Sequence, residues 1–251
     1  MLTLIGIGLD NEKDITLKGL EAVKEADFVF LESYTSKLNC SFSKLEKLYG
    51  KKIILADRNL VESKAEEILE KAKTKKVAFL VIGDVFGATT HTDLYLRAVN
   101  EKIKVEVIHN TSIINAIGIT GLQLYNFGKT TSLVFPEKGW SSERAYDIIN
   151  MNKAGGMHTL VLLFIDVEKN KYMTIAEGIK VLLDIEEKRK EKIVTKETKL
   201  VGIARIGSKS EKIKYGTAEQ LMKEDFGAPL HSIIVPGKLH FMEEEMLKLY
   251  Q

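Results

Sequence analysis

The sequence predicts an α/β protein of two domains, an N-terminal one built on a parallel sheet and a C-terminal one built on a mixed sheet. Three observations carry that prediction. Residues 1–110 alternate short apolar runs with amphipathic stretches across short connections, the pattern of right-handed βαβ units. VAFLVI at 77–82 is wholly apolar, as a central parallel strand covered on both faces must be, and HTLVLLFID at 158–166 is a second strongly apolar strand. KLVGIARIG (199–207) and KIKYG (212–216) lie close enough to pair antiparallel through Ser208-Lys209-Ser210-Glu211. The boundary is therefore expected near residue 110, giving domains 1–110 and 111–251, with the active-site cleft between them.

Each element has its local reason. LTLIGIGL (2–9) is a buried strand that runs into a tight turn at Gly6 and Gly8. Thr16 N-caps a helix whose apolar face is Leu17, Leu20, Ala22, Val23 and Ala26. FVFLE (28–32) is a short buried strand. Ser43 and Glu46 have capping-box spacing, with Leu45 and Leu48 inside the helix and Gly50 ending it. KKIILAD (51–57) is the next strand. Ser63 and Glu66 repeat the box ahead of Ala65, Ile68, Leu69 and Ala72. After 77–82 the loop GDVFGATTH leads to a helix through Leu94, Leu96, Ala98 and Val99, which Thr89, Thr90 or Thr92 can cap. KVEVI (104–108) closes the half.

In the second half SIINAIGITGL (112–122) reads as a crossing helix and SLVFPEKG (132–139) holds a strand. Ser141 or Ser142 starts a helix through Ala145, Ile148 and Ile149. Thr174 and Glu177 box a helix through Ile175, Ile179 and Leu182 to Glu191; its charged end, EEKRKEK (186–192), reads as a solvated face. Thr217 and Gln220 cap a short helix, and HSIIVPG (231–237) is the last strand.

Composition removes several function classes. The chain has 251 residues and 37 basic against 35 acidic side chains, a balance that argues against a dedicated nucleic-acid binder. A lone cysteine, Cys40, excludes an internal disulfide framework and a multi-cysteine zinc site, and fits a reducing compartment. No apolar run approaches the ~20 residues of a membrane span, and the N-terminus lacks a basic region before its apolar run. The expectation is a cytoplasmic protein with no membrane partner. The five histidines have no ligand spacing, so no metal is expected. No serine has GxSxG context, and GxxxxGK[ST] is missing.

What remains is a small-molecule crevice beyond the carboxyl ends of strands 2–9 and 77–82. Gly6 and Gly8 allow close approach of backbone to ligand, although a third glycine of a dinucleotide fingerprint is missing. Asp84, at a strand's carboxyl end, is a natural acceptor for ribose hydroxyls or an ammonium, and is expected to serve the ligand rather than the fold. His91 reads as a helix-start residue. His231, entering an apolar strand, reads equally as a satisfied core group or as a pocket residue. Such a site suits a reactive cofactor that the protein orients.

Several segments then resemble a known family. LIGIGLD and DITLKGLEAVKEADFVF (within 4–30), with GDVFGATTH (83–91), resemble the tetrapyrrole methylases, the class III S-adenosylmethionine methyltransferases. ATTH (88–91), HNTSI (109–113), KTTSLVFP (129–136), HTLVLLFID (158–166), GIARIGS (202–208) and DFGAPLHSIIVPGKLHFMEEEML (225–247) are similar to the branch that acts on elongation factor 2. The resemblance implies that S-adenosylmethionine lies between the two domains, touched by Leu9, Asp84, Gly87, Ser112, Ile113, Leu163, Ala204 and His231, and leaves as S-adenosylhomocysteine. The chain departs at Val85, where the family has proline, and at Gly87, where a larger apolar residue is usual. The implied reaction is methyl transfer to the amine of an aminocarboxypropyl-modified histidine of elongation factor 2, toward diphthamide, by a homodimer. No residue is an evident general base. Alternatives are a corrin or porphyrin precursor methyltransferase of the same fold, a nicotinamide-dependent oxidoreductase, and a non-catalytic S-adenosylmethionine-binding domain.

Overall fold

The computed structural model describes residues 1–137 and 142–251. The chain divides into two compact units, Met1–Ala116 with Val167–Lys169, and Ile117–Asp166 with Asn170–Gln251.

In the first unit β1 (Leu2–Gly6), α1 (Leu17–Glu25), β2 (Phe28–Glu32), α2 (Phe42–Tyr49), β3 (Ile53–Ala56), α3 (Glu66–Thr74), β4 (Val77–Val81), α4 (Thr92–Asn100) and β5 (Val105–Ile108) alternate, and a short α5 (Ile113–Ala116) follows. All five strands are parallel, in the order β3-β2-β4-β1-β5. Side chains alternate across the sheet. Leu2, Leu4, Phe79 and Val81 join a core with Ile68 and Leu69 of α3 and Leu94 and Ala98 of α4. Ile5, Ile7 and Leu80 join another with Val23 of α1 and Leu45 and Tyr49 of α2. Helices thus cover both faces, which is why β1 and β4 are buried along their whole length. The connection leaving β1 runs one way along the sheet, to β2; that leaving neighbouring β4 runs the other way, to β5. Such a reversal opens a crevice at the carboxyl ends of the strands.

The second unit contains β6 (Thr131–Leu133), α6 (Arg144–Ala154), β7 (Thr159–Leu163), the two-residue pair β8 (Ile165–Asp166) and β9 (Lys171–Tyr172), α7 (Ile175–Arg189), β10 (Lys199–Ala204), β11 (Lys212–Thr217), α8 (Ala218–Lys223), β12 (His231–Val235) and α9 (Phe241–Lys248). Its sheet runs β11-β10-β12-β7-β6, with β6 and β7 parallel and every other pair antiparallel. The expected 199–216 hairpin is β10–β11. The boxes on Thr174 and Thr217 both form.

Local signals misled at several places. Helix α2 starts from Ser41; Ser43 lies inside it, and Glu46 reaches forward to accept from the Ile53 N–H at 3.1 Å. Ser63 belongs to a π-helical turn, Asn59–Ser63, where Asp57 accepts from the Leu60 N–H at 2.7 Å; α3 begins after Ala65 without a side-chain cap. A serine three residues ahead of a glutamate also fits a helix already under way. None of the threonines caps α4. His91 holds that position, the Thr89 hydroxyl donates to the Val85 carbonyl at 2.5 Å, and the Thr90 hydroxyl faces the Tyr34 hydroxyl at 3.3 Å.

The expected helix over 112–122 is α5 and a 3₁₀ turn, Ile117–Thr120, stopped at Gly121. Gly121 has φ +83°, and a Cβ there would lie 2.3 Å from that of Met246. The 158–166 strand breaks after Leu163, where the chain enters β8. The strand in 132–139 is confined to β6, and Lys138, Gly139 and Ser141 lie outside the described residues. The charged run at the end of α7 is largely a solvated face, with Glu187, Lys188, Lys190, Glu191 and Lys192 exposed; within it Glu186 accepts from the Lys192, Ile193 and Val194 N–H groups, and Arg189 pairs with Glu143, Asp147 and Glu191. Helix α9 was not expected. His240 caps it by accepting from the Met242 N–H at 3.3 Å, while Glu243 accepts from the His240 N–H at 2.8 Å.

Candidate active site

Three strand ends meet in the first unit. Gly8 donates to the Gly83 carbonyl at 3.2 Å, and Gly83 donates to the Gly8 carbonyl at 2.7 Å. Both have positive φ, +80° and +86°, which glycine adopts without strain. A Cβ on Gly6 would fall 2.7 Å from the Gly83 carbonyl oxygen and 2.9 Å from the Asn110 Cβ. Asn110 closes the group by donating to the carbonyls of Gly6 (3.0 Å) and Asp14 (2.9 Å). Leu9, next to Gly8, is partly exposed at this end.

Asp84 is built into the crevice. Its Oδ1 accepts from the Phe86 N–H at 3.0 Å; its Oδ2 accepts from the Asn110 N–H at 2.9 Å and lies 2.9 Å from His109 Nδ1. The expectation that it serves only a ligand is therefore corrected: it also clips the loop after β4 to the end of β5. Burial pulls its pKa upward, but the two N–H donors and His109 outweigh that and leave it below the usual carboxylate range. A carboxylate has about four lone-pair sites, so one remains on Oδ1. The site on His109 is exchangeable, since that ring is 68% exposed.

Gly87 touches Ser112: an added Cβ would lie 2.5 Å from its Oγ. A larger residue at 87 requires Ser112 to move, so glycine here gives close approach between the two loops. Val85, at the position where the family has proline, is fully buried in the α3–α4 core. Ser112 Oγ accepts from the Ile114 N–H at 3.2 Å, so its own proton is left to donate. Ile113, beside it, is partly exposed.

The remaining three expected site residues lie in the second unit, in one row. Ala204 is the register partner of His231. Ser232 pairs with Leu162, so His231 lies across from Leu163 one step on. The Leu163 and Ala204 side chains belong to the core under α7, so main chain is what they offer a ligand. His231 Nε2 donates to the Ala228 carbonyl at 3.0 Å, whereas Nδ1 is buried without a partner. Burial lowers its pKa, so the ring is neutral and Nδ1 is an unused acceptor. Arg205 holds the preceding loop by donating to the Phe226 carbonyl at 2.7 Å and to that of Ala228.

Sequence reasoning missed Asn110 as the joint of the three strand ends, Glu32 as the last residue of β2, and Tyr34 and Arg58 just past β2 and β3. Asn110 stands in the HNTSI segment, but nothing local shows that its amide reaches Gly6. Cys40 is partly buried, and burial pushes its thiol pKa up.

Residues 1–222 match the family model described as Tetrapyrrole (Corrin/Porphyrin) Methylases. The chain is 50% identical to a diphthine methyl ester synthase of Saccharomyces cerevisiae over 264 residues, covering 98% of this chain and 88% of that one. It is 48% identical to a diphthine synthase of Methanocaldococcus jannaschii over 251 residues, covering 99% and 98%. A crystal structure of diphthine synthase matches with a TM-score of 0.91 at 39% identity, over 99% of this chain and 95% of that one.

Proposed function

We propose, from the premise that the chain belongs to the tetrapyrrole (corrin/porphyrin) methylase family, that it acts as a diphthine synthase. In that reaction S-adenosylmethionine methylates the amine of the aminocarboxypropyl-modified histidine of elongation factor 2. The observation that carries the reading is near-half identity along the full length of the archaeal relative.

The residues fit the cofactor. An ionised carboxylate with a spare lone pair, a hydroxyl with a proton to give and a buried, neutral imidazole acceptor suit its hydroxyls, acceptor atoms and N–H groups. When bound, S-adenosylmethionine supplies a methyl group on a cationic sulfur. Asp84 would accept from a ligand hydroxyl, Ser112 would donate and His231 Nδ1 would accept, while Leu9, Gly87, Ile113, Leu163 and Ala204 would supply surface and main chain. The acceptor amine must arrive unprotonated. With no side chain assigned as base, the contribution of the chain is positioning and exclusion of water.

Calorimetry with S-adenosylmethionine and S-adenosylhomocysteine tests the cofactor assignment. Asp84→Ala is expected to weaken binding by about 1.5–3 kcal/mol; unchanged affinity would remove Asp84 from the site.

The proposal includes a cytoplasmic homodimer. Its support is an exposed apolar face in the second unit: Ile119 (50% exposed), Tyr125 (82%) and Met242 (54%). The segment bearing the first two is tied to α9 by the Gln123 N–H on Glu243, and to the residues just past α9 by the Tyr250 hydroxyl on the Ile119 carbonyl. Sedimentation at micromolar concentration should give a dimer, and Tyr125→Asp a monomer; a monomeric wild type refutes it. Among the described residues, no helix is long and apolar enough to cross a membrane.

A further inference from the structure

A second polar cluster lies at the carboxyl ends of β2 and β3, on the same edge of the sheet as Asp84. Glu32, the last residue of β2, is fully buried. It accepts from the Tyr34 N–H (3.2 Å), the Thr35 N–H (3.0 Å) and the Thr35 hydroxyl (2.6 Å), and so fixes the turn that follows. That turn presents Tyr34, whose hydroxyl meets Thr90, farther along the loop that bears Asp84 and Gly87. Arg58, just past β3, lays its guanidinium over the Tyr34 ring, 5.4 Å from the centroid.

The surroundings of Arg58 set it apart. Arg97 and Arg189 pair with carboxylates, Arg205 is spent on backbone carbonyls and Ser210, and Arg144, exposed like Arg58 and without a carboxylate partner among the described residues, lies over no ring there. Arg58 is exposed, stacked on a ring held from two sides, and has no carboxylate paired with it among the described residues. Stacking on an aromatic face orders the guanidinium while leaving its edge of N–H donors free.

We propose that Arg58, oriented by Tyr34, binds the carboxylate of the acceptor's aminocarboxypropyl group. This rests on the functional reading above. The carboxylate sits on the carbon that bears the reacting amine, and a planar fork of donors matches it bidentately. The amine changes from a neutral base to a fixed cation as methyl groups accumulate, whereas the carboxylate is unaltered by N-methylation. An anchor on the carboxylate serves every round of amine transfer; an anchor on the amine would not.

The test uses full-length chain, labelled S-adenosylmethionine and elongation factor 2 carrying the modified histidine. Arg58→Gln is expected to raise KM for the factor by about 10-fold or more, with Kd for S-adenosylmethionine within about two-fold of wild type as the control for folding and cofactor binding. Arg58→Lys should recover part of the loss, and added ethylguanidinium should restore activity to Arg58→Ala. An unchanged KM in Arg58→Gln overturns the assignment, as does a Kd for S-adenosylmethionine that worsens in step with KM. If wild type itself fails to label the modified factor, the functional reading falls, and this inference with it.

Discussion

His91 has no exposed surface, and its ring lies 5.4 Å from that of Phe79 and 6.2 Å from that of Tyr34. Neither ring nitrogen makes a well-formed hydrogen bond, and a weak interaction with the Val85 backbone only partly opposes the effect of burial. Burial pushes its pKa down to about 4, from an ordinary value of 6.5. The unfolded chain takes up this proton as pH falls below about 6.5, the folded chain only near 4. The contribution to stability is therefore complete above 6.5 and is lost progressively down to 4, by about 3 kcal/mol. Urea unfolding at pH 7 and pH 4.5 should show a smaller difference for His91→Phe than for wild type, the carboxylate titrations being common to both. Parallel losses would contradict this account of His91. Asp84 was legible in the sequence because a carboxylate ending an apolar strand is conspicuous. Its duties to Asn110 and His109 were not, because those partners arrive from the end of another strand. Arg58 was illegible altogether: its meaning comes from a ring contributed by β2's turn.

Among the elements, legibility followed how local the determining interaction is. The boxes on α7 and α8 close within four residues, and both formed. Ser43 with Glu46 and Ser63 with Glu66 carry the same spacing but were outcompeted, the first by the Ile53 N–H and the second by a π turn that Asp57 starts. Helix α9 escaped notice because its cap is a histidine. Its anchor is also remote: Glu243, fully buried, accepts from the Gln123 N–H, the His240 N–H and His158 Nε2. Burial pulls the Glu243 pKa up, but those donors prevail and hold it below the ordinary range, so its stabilisation is present above the unfolded carboxylate's pKa and fades as pH falls below it. Glu243→Ala leaves three buried or half-buried donors unpaired and should lower the unfolding free energy from urea titration by about 3 kcal/mol, with Glu243→Gln costing less. Equal stability of Glu243→Ala and wild type would mean that α9 is held by its apolar side alone.

At the scale of the molecule, the sequence showed a parallel half and a mixed half because period and connection length differ between them. It could not show that Leu163, Ala204 and His231 share one row, since that depends on register across β7, β12 and β10. The family match ends at residue 222, while the archaeal relative matches 99% of the chain. Strand β12 and helix α9 are therefore common to the chain and its diphthine-forming relatives beyond what the family model describes. Methyl transfer to the modified histidine is read out by incubation with labelled S-adenosylmethionine and elongation factor 2 in two forms. Label is expected on the factor that bears the aminocarboxypropyl histidine and none on the unmodified factor. Equal labelling of both forms, or labelling of neither alongside methylation of a tetrapyrrole, would contradict it.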